Sequence, residues 1–98
     1  MTDLLMGPVI ITRYLGPTNT RGSRVVATHK RDSETTYRKT LAWDHALDGA
    51  ENHRAAAEAL VADWPLNFDA VIVGRGHDHD AYYWLAVGRW QVDPSAAN

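Results

Sequence analysis

Residues 48–64 read DGAENHRAAAEALVADW, and this stretch decides the fold because its apolar residues alone in the chain follow a helical period. Asp48 and Glu51 stand three positions apart, a capping-box pair whose acids also suit the positive end of a helix dipole. Ala56, Ala57, Leu60, Val61 and Trp64 then form a narrow apolar stripe. Glu51, Arg54 and Glu58 fall on the opposite side, with Arg54 and Glu58 one turn apart and able to pair. Pro65 lacks the N–H needed to continue the ladder. The spacing predicts a helix over residues 49–64.

Outward from this helix the pattern changes to β-branched and aromatic runs separated by turn formers. Upstream lie 9–15 (VIITRYL), 24–30 (RVVATHK) and 35–43 (TTYRKTLAW); downstream lie 69–74 (DAVIVG) and 82–90 (YYWLAVGRW). Residues 16–23 hold turn formers with no large apolar side chain and must be a loop. Residues 31–34 are a polar turn, and Arg75–Asp80 reads as the connection of a hairpin. The order is β-β-β-α-β-β. It implies an α+β domain spanning 1–98, a five-stranded mostly antiparallel sheet with one helix on one face, and frayed ends at 1–8 and 92–98.

The chain has 98 residues, 45% hydrophobic and 22% charged, values of a folded domain with one small core. Having no cysteine, it has no disulfide framework, thiolate metal site or cysteine nucleophile. Residues 1–8 (MTDLLMGP) carry no basic lead-in and are broken by Gly-Pro, so they do not read as a signal peptide. No apolar run approaches the ~20 residues that span a bilayer. A cytoplasmic protein without membrane association is expected.

The net charge of −2 argues against a dedicated non-specific DNA binder. The charge is uneven, however. Residues 13–39 hold Arg13, Arg21, Arg24, Lys30, Arg31, Arg38 and Lys39 against only Asp32 and Glu34. The rest of the chain is acidic. Geometry gives this polarity a place. Five strands make a sheet ~20 Å wide, whereas a helix with its side chains is only ~10–12 Å across. One sheet face should therefore stay uncovered, and alternation assigns to it Arg24, Val26, Thr28, Lys30, Thr36, Arg38 and Thr40, together with Tyr82 and Trp84. With Arg21, Arg75 and Arg89, the basic and aromatic members of this set are the candidate partner-binding residues. Trp43 and Trp64 belong to the core, whereas Trp84 and Trp90 beside arginine have the composition of interface anchors.

Candidate chemistry is sparse. His77-Asp78-His79-Asp80 contains ligand types for zinc, and His77 and His79 would share one side of a strand. A site needs further converging ligands, and a hydrophilic turn accounts for the tract more simply. Asp44-His45 could orient an imidazole for base catalysis, but no serine elbow accompanies it. The 16–24 segment offers anion-binding donors, with Arg21 foremost, yet lacks the phosphate-loop pattern and a following helix. No cofactor is expected.

Residues 11–24 (ITRYLGPTNTRGSR), 43–47 (WDHAL) and 51–60 (ENHRAAAEAL) resemble a family of small proteins encoded in bacteriophages and prophages. The resemblance implies a genomic setting, a host bacterial cell, and no particular chemistry. Small phage accessory proteins, anti-CRISPR proteins among them, act by stoichiometric binding. The expectation is a non-enzymatic inhibitor that occludes a host protein complex, with a CRISPR surveillance complex as the leading partner: either acidic residues near the helix and C-terminal hairpin occupy a basic nucleic-acid channel, or Arg24, Arg38 and Trp84 dock on an acidic protein patch. One alternative is an accessory protein that binds single-stranded nucleic acid, stacking bases on Tyr82 or Trp84. The other is a metal-dependent enzyme built on residues 77–80. The oligomeric state is left open.

Overall fold

The computed structural model describes residues 4–64 and 69–92. Strands β1 (Val9–Leu15), β2 (Arg24–Lys30) and β3 (Thr36–Ala42) precede helix α1 (Gly49–Ala62). Strands β4 (Ala70–His77) and β5 (Tyr82–Gly88) follow, and a 3₁₀ turn covers Arg89–Gln91. The sheet order is β3-β2-β1-β5-β4 with every neighbour antiparallel. The α+β architecture and element order expected from sequence are therefore present. Residues 1–3 and 93–98, read above as parts of frayed ends, and Pro65, read as the helix stop, lie outside the described residues.

Helix α1 starts where its capping pair places it. The Asp48 carboxylate accepts the Glu51 N–H at 2.7 Å, and the Glu51 carboxylate accepts the Asp48 N–H at 3.4 Å. Asn52 then fastens the preceding turn. Its Oδ1 accepts the Asp44 N–H at 2.8 Å, and its amide donates to the carbonyls of Asp44 and Asp48 at 2.9 and 3.0 Å. This buried side chain satisfies backbone groups that would otherwise lose water without replacement.

The buried side of α1 is Asn52, His53, Ala56, Ala57 and Leu60. Two alanines at its centre let the helix approach the sheet closely, against Ile10, Val25, Ala27, Trp84 and Ala86. The helix lies over β1, β2 and β3 and reaches only the near part of β5. One polar chain crosses this core. Trp84 Nε1–H donates to Thr12 Oγ1 at 2.9 Å, and Thr12 Oγ1 lies 2.8 Å from His53 Nδ1. The Thr12 hydroxyl can both donate and accept, so the direction of its bond to Nδ1 follows the ring tautomer of His53. Burial holds the His53 pKa below its ordinary value, against a smaller upward effect from a hydrogen bond with the Thr12 backbone. The ring lies tilted over Tyr82, centroids 4.4 Å apart.

Several boundaries differ from the sequence expectation: α1 ends at Ala62 and not at residue 64, β3 covers Thr36–Ala42 and not 35–43, and β4 starts at Ala70. Strand β4 runs on to His77, so Arg75, Gly76 and His77 pair with Trp84, Tyr83 and Tyr82 instead of forming the hairpin connection. The turn is shorter because the Asp78 carboxylate accepts the N–H groups of Asp80 and Ala81 at 2.8 and 2.9 Å, while Asp78 N–H meets the Ala81 carbonyl. Between Ile72 and Gly74 the register shifts, leaving Val73 as an extra residue in a β-bulge. Strand β5 stops at Gly88, before Arg89 and Trp90. The segment before β1 follows β5: the Ala86 N–H donates to the Pro8 carbonyl, and Gln91 Nε2 to the Met6 carbonyl at 2.9 Å. Gly7 lies so close that a Cβ there would sit 1.9 Å from the Ala86 oxygen, so only glycine fits.

Candidate macromolecule-docking face

Antiparallel pairing puts directly opposed residues on the same face of a sheet, so the register assigns every side chain. Ile10 pairs with Trp84 and Thr12 with Tyr82. Ile10 and Thr12 are buried beneath the helix, and Tyr82 and Trp84 therefore join them there. This corrects the expectation that these two aromatics stand on the open face. Trp84 is 3% exposed and part of the core, and Tyr82 packs against that core. The parity of YYWLAVG was undetermined because an unbroken apolar run has no alternation. Tyr83 and Leu85 take the open positions instead.

The remaining open-face assignments hold. Arg24, Val26, Thr28 and Lys30 of β2 oppose Ala42, Thr40, Arg38 and Thr36 of β3. Arg13 of β1 opposes Val26 and completes the set, and Ile11 lies between Thr28 and Tyr83. Arg13, Lys30 and Arg38 are exposed, and Arg24 is partly so. Among the described residues Arg24 makes only a bond from Nε to the Gly22 carbonyl at 3.3 Å, within its own loop. Arg13, Lys30 and Arg38 have neither a hydrogen bond nor an ion pair there.

No strand contains an aspartate or glutamate. Acids occupy the turns, the helix and its flanks: Asp44, Asp48, Glu51, Glu58 and Asp63 all lie on the helix side of the chain. The open face of β1 to β3 thus carries cations without strand carboxylates, whereas the helix side carries both signs, Lys39, Arg54, Arg75 and Arg89 among its cations. Strand spacing and rise place Lys30 and Arg38 ~8 Å apart by Cα, Arg13 and Arg24 likewise ~8 Å, and the nearest members of the two pairs, Arg13 and Arg38, ~12 Å apart. Four like charges stay on this face because water screens them. A negatively charged surface covering them would meet no competing carboxylate from the strands.

Other features of the face are mild. Thr28, Thr36 and Thr40 contribute hydroxyls, while Ile11 and Leu85 offer aliphatic contact. Tyr83 is its aromatic residue, and its hydroxyl donates to Asp78 Oδ2 at 2.8 Å at the hairpin end. That bond draws the Asp78 pKa down and pushes the Tyr83 pKa up. Arg13 was missed as a member of the face because Ile10 and Ile11 are both apolar, which hides the alternation of β1.

The other candidates lie elsewhere. Arg21 is exposed in the loop, where its backbone closes a turn against Thr18 Oγ1 at 3.0 Å. Arg75 is on the helix side of β4, across from Trp84. Arg89 pairs with Asp69 at 3.1 Å. The His77 ring lies 5.5 Å from Tyr82, and His79, almost wholly exposed, stands 3.3 Å from Asp80. Among the described residues no three His, Cys, Asp or Glu side chains gather in a way that could hold a metal ion. Asp44 Oδ1 accepts the Ala46 N–H at 2.9 Å, a local turn bond. Trp90 is 59% exposed. No helix among the described residues is long and apolar enough to cross a membrane. No family model, curated protein or solved structure matches this chain.

Proposed function

We propose that the protein is a non-enzymatic binding module that covers an acidic protein surface with the open face of its sheet. The observation that carries this is Arg13, Arg24, Lys30 and Arg38 arrayed on strands that contain no acid. Aliphatic and threonine side chains between the cations favour a protein partner, which can bury them while its carboxylates meet the guanidinium groups. Bases would need stacking platforms, and the two aromatics assigned to that task are in the core. The resemblance of residues 11–24, 43–47 and 51–60 to phage-encoded proteins supplies the setting. The acidic surface belongs to a host defence complex, with the CRISPR surveillance complex as the leading case, and binding occludes it.

The test uses phage challenge of bacteria carrying an active CRISPR system. Expression of the chain should restore plaque formation, and Lys30→Glu/Arg38→Glu should abolish that effect while circular dichroism and melting stay unchanged. Complex formation with the purified surveillance complex should weaken at least tenfold between low and high salt. Full activity of the double variant overturns the proposed face. Salt-sensitive binding of oligonucleotides at equal strength, without a protein complex, reassigns the face to nucleic acid.

A further inference from the structure

The helix is narrower than the sheet, and among the described residues its placement over β1 to β3 leaves a strip uncovered on its own side as well. There a groove runs between α1 and β4 in two adjoining compartments of 360 and 320 Å³, sharing Arg54 and Ile72. The first is bordered by Trp84 and Arg75, the second by Ala70, Val61 and Arg89. The compartment at Arg75 is mainly polar and the adjoining one mainly apolar, and three guanidinium groups border the two.

Those groups are not equivalent. Arg54 gives its Nε to Glu58 at 2.9 Å, and Arg89 gives its Nε to Asp69 at 3.1 Å. Arg75 makes no hydrogen bond or ion pair among the described residues. Two cations are matched by carboxylates and one is not, so the groove has a single surplus positive charge. Glycines on both sides of Arg75 keep the strand bare beside it, and the bulge at Val73 turns the chain just before it.

We infer that this groove binds a small amphipathic anion, an apolar body bearing one carboxylate or phosphate. The head meets Arg75, with the terminal amino groups of Arg54 within the same compartment, and the body lies along Ile72 toward Ala70. A bare inorganic anion would leave the apolar compartment unused, and a neutral body would leave Arg75 unmatched. Each compartment falls at the lower end of the ~300–1,000 Å³ usual for small-molecule sites. The groove lies on the opposite side of the sheet from the cationic face, so this inference stands on the fold and is independent of the function proposed above.

The probe is 2-naphthoate, added to the ¹⁵N-labelled chain and followed by two-dimensional NMR. Saturable shifts are expected at the Ile72 and Gly74 amides and the Trp84 indole. Arg75→Ala, at an exposed side chain, should weaken binding at least tenfold, the loss expected for one charge-assisted hydrogen bond. Arg38→Ala on the far face should leave it unchanged. The matching alcohol, 2-naphthalenemethanol, and inorganic phosphate should each bind at least tenfold more weakly. Absence of saturable shifts up to about 10 mM, a very weak site by any standard, overturns the inference. Equal binding by the Arg75→Ala variant, by the alcohol or by phosphate alone overturns it as well.

Discussion

Replacing Thr12 with valine keeps the shape of the side chain and deletes one oxygen. That oxygen has two partners, Trp84 Nε1 at 2.9 Å and His53 Nδ1 at 2.8 Å, and all three residues are buried. The substitution leaves two buried polar groups, Trp84 Nε1–H and His53 Nδ1, without partners, each costing about 1–3 kcal/mol. The added methyl recovers less than about 1 kcal/mol. A net loss of about 3 kcal/mol is expected, a large share of the 5–15 kcal/mol typical of a domain. At about 4–8 °C per kcal/mol for a chain this short, the melting temperature should fall by about 12–24 °C. Thr12→Ser keeps the oxygen and should cost about 1 kcal/mol through the lost methyl. Urea unfolding followed by circular dichroism measures both variants. A Thr12→Val protein within 0.5 kcal/mol (about the scatter of neutral surface changes) of the parent, or more stable than Thr12→Ser, refutes the buried chain and with it the inward placement of Trp84.

Acid should destabilise the protein through His53. Its folded pKa lies below the unfolded value of 6.5, so the unfolded chain takes up the proton first. The contribution is fully present above pH 6.5 and is lost progressively as pH falls from there through the folded pKa. His53→Gln should flatten this slope in urea titrations across the acid range. Asn52→Ala leaves the turn at Asp44 to Asp48 without its bonds and should cost about 2–4 kcal/mol, read as a lower urea midpoint with unchanged slope.

The number and type of the elements were legible because helical and strand periods differ so plainly between 48–64 and its flanks. Pairs of strands joined by short turns followed directly. The join between β1 and β5 did not, since nothing local specifies a partner some seventy residues away. The candidate face was half legible. Strand β2 and β3 side chains fell where alternation put them, because RVVATHK and TTYRKTLAW mix polar and apolar positions. Strand β5 is apolar throughout, and only its pairing with Ile10 and Thr12 sets which residues turn inward. The groove beside β4 was invisible for a related reason: it depends on where the helix sits laterally, and the apolar stripe of α1 says only which side faces down.

The central position of β1 has a consequence for how the molecule is assembled. Its two neighbours come from opposite ends of the fold, β2 immediately after it and β5 much later, and Thr12 waits for Trp84 across 72 positions. A ribosome releasing this chain can complete the β2–β3 hairpin and the helix early. The middle of the sheet stays unfinished until the last strand emerges. Closing so long a loop slows folding more than it weakens the final state. Burial of Trp84 against Thr12 should therefore be a late event, following the consecutive strands β1 to β3 that carry the four cations.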